Sequence, residues 1–340
     1  MIFRQPLALL LGVLLCVPAM ATSVEGLYGT EVPVSDRSIA ATDRGVVEAL
    51  AVVLVKLTGN SATATDARAR PLLARARSFA TVIGQAQTGN AVDGYRLRVD
   101  FDPAALAAAL RERGFILWAK ERPRLQLGLA SMDATGQPLP LDAAVVTAID
   151  QQAASRGLPL THRPAPRPPA TPDTGAWLDA LLGLGSDPIP SGAAPQLAGV
   201  LRATPEGQWT GDWRVVVDGQ TTAWVASDAS PEALVRAALD RATDRVAAHY
   251  ADPAIFGGAL ASFTLRVQGL RNAADYGQML RLLRDMDAVQ RLEVAQVSGD
   301  QIQLTVTARG GLPALAQSLL LNPQLSPLPN QPAIYQWVTP

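Results

Sequence analysis

The chain has 340 residues, 48% of them hydrophobic and 17% charged, with a formal net charge of -1 at pH 7. That apolar content is ample for packed cores and excludes global disorder, while the near-neutral balance excludes a nucleic-acid binder that works through a basic surface. With a targeting segment of about twenty residues set aside, the remainder has the length of two or three domains.

Residues 1–21 read as a secretory signal. Arg4 supplies positive charge, residues 7–17 form an apolar stretch, and Ala19-Met20-Ala21 is a small-x-small cleavage site. The apolar run is too short for an ordinary membrane-spanning helix. Lipidation of Cys16 is the rival reading, but Leu15 stands where a small residue normally precedes such a cysteine, so cleavage is expected after Ala21. That cut removes the only cysteine, leaving a periplasmic protein without disulfides and without a later membrane span.

Residues 22–122 are read as a first β-α-α-β-α domain. Residues 27–34 have strand character, and Ile39, Val46, Leu50, Val53, Leu54 and Leu57 recur at helical spacing up to Gly59-Asn60. An Ala/Arg-rich stretch at 66–85 is expected to be helical. Residues 95–101 alternate as a half-buried strand, Asp102-Pro103 starts a helix, and Gly114 stops it.

A middle α/β domain is expected over residues 123–252, with a strand at 124–130, a helix at 141–156 ended by Gly157 and a short strand at 158–161. A Pro-rich insertion covers 163–195; its run from Pro164 to Pro172 reads as exposed loop because prolines fit neither ladder nor helix interior, with short helical structure an option around Trp177 to Leu182. Asp218-Gly219 is a strong type I′ signal between strands at 209–217 and 221–226. That register places Trp213 directly across from Trp224, on the face that also carries Trp209 and Val215. Ser230-Pro231-Glu232 then starts a long helix. Residues 253–322 give a β-α-β-β-α domain with a bulge expected near Leu292, Val294 and Val297, and residues 323–340 read as a loosely held Pro-rich tail. The fold class expected is α+β, three small α/β sandwich units behind a signal peptide.

No residue set declares a reaction. His162 and His249 lie far apart in sequence, so no metal site is expected. Asp100-x-Asp102 and Asp285-x-Asp287 read as a strand end with helix cap and as a solvated helix end. There is no Ser-x-x-Lys, no Gly-x-Ser-x-Gly and no phosphate or dinucleotide loop, so neither catalytic nor cofactor-binding residues are assigned. Arg68, Arg70, Arg75 and Arg77 suggest an anion-binding face or, more simply, a solvated helix face. Trp209, Trp213 and Trp224 are the residues offered as a partner or ligand surface, against the plainer reading of a core covered by a helix.

Leu27-Tyr28, the 48–60 helix end, Ser155-Arg156-Gly157-Leu158-Pro159-Leu160, Trp209 to Trp213 and Asp275-Tyr276 together resemble an exported proteobacterial family catalogued as domain of unknown function 2066. The resemblance implies no catalytic residues, and the Pro-rich insertion departs from that family's charged middle stretch. The order of the middle unit also resembles small periplasmic domains of translocation proteins and penicillin-binding-protein activators. The function expected is that of a non-catalytic periplasmic adaptor or binding protein whose partner is an envelope protein. The alternative is a periplasmic hydrolase acting on a glycan through paired carboxylates.

Overall fold

The computed structural model describes residues 21–87, 95–166, 173–183 and 193–338. Residues 1–20 of the segment read as a signal, Cys16 included, and parts of the Pro-rich insertion lie outside the described residues. The chain is an α+β protein built of several small sheets, the three larger ones backed by helices.

In the first unit β1 (Ala21–Ser23) and β2 (Gly29–Val34) precede α1 (Ile39–Thr58). Ser38 caps α1 by accepting from the Ala41 amide, and the helix ends at Gly59 in the left-handed conformation. A 3-10 turn (Ser61–Thr65), α2 (Arg70–Leu73) and α3 (Ala76–Phe79) lead to β3 (Ala80–Gln87), β4 (Tyr95–Phe101) and α4 (Pro103–Glu112). The sheet order is β2-β4-β3, all antiparallel, and α1 buries Val46, Leu50, Val53 and Leu54 in the core. The expected helical stretch 66–85 is therefore corrected. It breaks into single turns and becomes a strand at Ala80, where Thr81, Val82 and Ile83 favour extended backbone and β4 takes up the hydrogen bonds.

The middle unit contains β6 (Leu125–Met132), β7 (Pro138–Leu139), α5 (Ala143–Arg156), β8 (Leu160–Arg163), α6 (Thr174–Leu182), β9 (Gln196–Ala203), β10 (Trp209–Val217), β11 (Gln220–Asp228) and α7 (Pro231–Tyr250); β5 (Glu121–Pro123) precedes it and pairs with β1. Its sheet runs β11-β10-β9-β6-β7, with β8 beside β6; β6 is parallel to β8 and β9. On one face α5 and α7 pack on Leu127, Leu129, Leu201, Trp213 and Val215. On the other, α6 packs Trp177, Leu178 and Leu181 against Ala198, Val200 and Val216.

The third unit holds α8 (Pro253–Gly257), β12 (Leu260–Gln268), α9 (Ala273–Arg284), β13 (Val289–Ser298), β14 (Gln301–Arg309), α10 (Gly311–Leu320), β15 (Leu325–Leu328) and β16 (Gln331–Trp337). The strand order is β13-β14-β12-β16-β15, and β13 carries two register shifts. The loosely held tail is the second correction. β16 lies parallel to β12 inside the sheet, and its Tyr335 and Trp337 are buried. The tail's prolines do not prevent this, because Pro327 sits on edge strand β15 and Pro332 precedes the stretch that pairs with β12.

Three consecutive residues join the units. Leu117 packs in the first core, Trp118 in the middle core and Ala119 in the third. No helix among the described residues is long and apolar enough to cross a membrane.

Candidate functional site

The tryptophan face is built by the β10–β11 hairpin. Asp218 and Gly219 both take positive φ, 49° and 74°, which is the type I′ turn, and Trp213 pairs with Trp224. Their rings stack with centroids 6.4 Å apart and planes 17° from parallel. Trp213 is only 2% exposed. It lies against Gly199 and Gly211, where any Cβ would overlap its indole, and α7 covers it. Trp209 and Trp224 are half-buried against the same core, so the three rings do not form an open platform. Arg241 of α7 stands over Trp224, 4.6 Å from the ring centroid.

What the hairpin leaves open is its backbone. The turn makes Val217–Gln220 a hydrogen-bonded pair, and the alternation continues through 222, 224, 226 and 228. The N–H and C=O groups of Thr221, Ala223, Val225 and Ser227 therefore point away from β10, where the order of the described strands places no neighbour. These four residues also have exposed side chains. The other edges among the described strands are blunted: β2 contains Pro33, β3 has a register shift, β13 has two with Arg291 and Glu293, β15 contains Pro327, and β1, β5, β7 and β8 are only two to four residues long. β11 runs nine residues without shift or proline, and its only charge is Asp228 at the end.

A second cluster lies where the units meet. The Arg122 guanidinium is fully buried and donates to the carbonyls of Lys56, Trp118, Ala119, Arg156 and Gly157 at 2.8–3.3 Å. Two of these carbonyls belong to the last turns of α1 and α5, where helix dipoles favour a cation. Burial still lowers its pKa to about 9, with Asp287 acting in the opposite sense. Glu121 is buried with Oε2 unpartnered, and burial, then the charge of Asp287, raises its pKa to about 7. Asp287 accepts from the Lys120 amide at 2.8 Å. This corrects the solvated-end reading of Asp287, since the third unit's helix end is tucked into the joint. A cavity of about 140 Å³ beside it is lined by Tyr28, Trp118, Lys120 and Asp287 among others.

A larger cavity of about 700 Å³ lies between Thr58, Arg68, Phe115 and Ala247. Its charged groups are already engaged: Asp66 with Arg68, and Asp244 with Arg156 and Ser61. Arg75 stands over Phe79 and Arg77 pairs with Asp43 at 2.5 Å, so this arginine-rich stretch is tied to its own unit. His162 pairs with Asp150 at 3.1 Å, and His249 lies 3.8 Å from Asp218. Asp102 caps α4 and Asp100 pairs with Arg98. Arg122, Glu121 and Asp287 were not singled out from sequence as a cluster, and no local spacing signals it, because 167 positions separate Lys120 from Asp287.

Comparison with known proteins adds a family for the first unit alone. The profile of a family described as Domain of unknown function (DUF8605) matches residues 21–119. This overturns the resemblance to domain of unknown function 2066, whose motifs in this chain are helix ends and strand starts that unrelated α+β units share. No curated protein matches the chain. Among solved structures, the Thermus thermophilus Protein Y N-terminal domain is similar at 14% identity over 37% of this chain and 94% of that one, with a TM-score of 0.20. An uncharacterized protein is similar at 13% identity over 38% and 87%, with a TM-score of 0.15.

Proposed function

We propose that the chain is a non-catalytic adaptor of the cell envelope, exported by its N-terminal segment, that binds an extended segment of another envelope protein along β11. The observation that carries this reading is the contrast among sheet edges. Among the described strands, each of the other edges bears a proline, a register shift or a very short strand, the usual devices against strand addition, whereas β11 bears none. The three-way joint at residues 117–119 supports an adaptor by giving this edge a fixed setting.

The test places a photo-crosslinking residue at Val225 in the exported chain, with Ile39 on α1 as an exposed control. A discrete envelope-protein adduct at Val225, absent at Ile39 and lost on Ala223→Pro, is the expected result. The proline removes an outward N–H and spares the bonds to β10. Adducts that are absent at Val225, or unchanged by Ala223→Pro, overturn the reading.

The hydrolase alternative has one observation of its own, the raised Glu121 beside Asp287. The adjoining cavity of about 140 Å³ is smaller than the roughly 300–1,000 Å³ typical of small-molecule sites, which favours the adaptor.

A further inference from the structure

We propose that the segment β11 receives is acidic on one face, with carboxylates two residues apart facing α7 and small or β-branched side chains between them. The inference rests on reading β11 as the docking edge and adds the chemistry of its occupant.

The charge distribution along α7 carries it. Among the described residues, Glu232 is held by Ser230, while Asp240 and Asp244 both bind Arg156. Each carboxylate of the helix thus has a partner, Glu232 at the helix start and Asp240 and Asp244 on the side toward α5. Arg236, Arg241 and Arg245 are exposed, and none has a carboxylate partner among the described residues. Arg241 is fixed above Trp224, half-way along β11. Arg245 follows one turn later on the same helix face. It lies toward the hairpin, since His249 further along α7 reaches Asp218 of the turn.

The spacing matches. Four helical residues rise about 6 Å, and two strand residues rise roughly 6.7 Å. A strand added to β11 lies about 4.8 Å from it, so alternate side chains on its α7 face would reach Arg241 and then Arg245. The other face would meet Ala223 and Val225, which are exposed and uncharged. A second copy of this chain fits poorly. Antiparallel pairing of β11 about Trp224 would bring both Arg241 side chains together, and β11 offers only Asp228 to offset them.

The experiment titrates the purified chain with the peptide Thr-Val-Glu-Val-Glu-Val-Thr, blocked at both ends, and with its counterpart in which both Glu are Lys. Amide shifts of Ala223 and Val225 are followed by NMR. The acidic peptide is expected to bind roughly tenfold tighter, the sum of two surface ion pairs. The difference should shrink as salt rises and reverse in the Arg241→Glu/Arg245→Glu double variant. Equal binding of both peptides that Ala223→Pro abolishes would overturn the acidic partner and leave the docking edge standing. Binding that Ala223→Pro leaves intact would overturn both. Concentration-dependent self-association lost on Ala223→Pro would make a second copy the occupant and overturn the inference, as would no binding of either peptide. Circular dichroism of each variant checks that the fold is retained.

Discussion

Arg156 donates from its guanidinium to the carbonyl of Gly59 at 2.8 Å, so the last residue of α5 in the middle unit closes the end of α1 in the first. The reciprocal contact comes from Arg122, which reaches the carbonyls of both helix ends. Two buried arginines on two segments thus interlock the units, one held by carbonyls alone and one sharing its charge with half-buried Asp240 and Asp244.

The two should not be equal in stability. Arg122→Met leaves five buried carbonyls without their donor and should cost about 3–5 kcal/mol. Arg156→Met leaves one buried carbonyl, that of Gly59, without this donor, together with two carboxylates that water can reach, and should cost about 1–2 kcal/mol. Urea denaturation checks the order, and a larger loss for Arg156→Met would contradict this account of the joint.

Glu121 makes stability depend on pH. Its folded pKa of about 7 lies above the ordinary 4.5, so the folded state holds its proton more tightly. The contribution is complete below pH 4.5, declines as pH rises through 7 and is absent above it, a change of up to roughly 3 kcal/mol. Glu121→Gln should therefore stabilise the protein at pH 8 and leave it nearly unchanged at pH 4. Paired urea melts at the two pH values measure this, and equal effects at both would refute it.

The glycine floor of Trp213 should be intolerant. Gly199→Ala places a methyl inside the volume of the indole, where overpacking costs about 1–3 kcal/mol. Gly84→Ala, where a Cβ meets nothing within 4 Å, is the control. Thermal melts followed by tryptophan fluorescence compare them, and matching melting temperatures would mean that Trp213 moves aside freely.

The final strand should bear load. Trp337 is 3% exposed in the third core, and Trp337→Ala should cost about 3–5 kcal/mol. A chemical melt that shows a change under about 1 kcal/mol would return residues 325–337 to the status of a tail.

Much of the fold was legible where the signal is local. Asp218-Gly219 sets the hairpin register, so the pairing of Trp213 with Trp224 followed from turn chemistry and a period of two. Asp102, Ser230 and Asn272 cap the helices that follow them, whereas α1 is capped by Ser38 and not by the cap-type Ser35 or Asp36 just before it. Signals failed where composition outweighed pattern. Val82 and Ile83 lie on an exposed strand with no alternation to show it, and the prolines of β15 and β16 hid strands that tolerate them. The tryptophan surface was legible as a face, but whether a helix covers it is a tertiary fact. Glu121, Arg122 and Asp287 converge only through packing of the units, which no spacing in the sequence encodes.

The stacked indoles have an optical consequence. Two transition dipoles 6.4 Å apart couple strongly, and one ring is sealed while the other lies on the open strand. The sealed ring registers whether the middle unit is folded, and its half-exposed neighbour registers whether the strand is occupied. The protein therefore carries a built-in spectroscopic gauge, readable by circular dichroism and fluorescence without any added label.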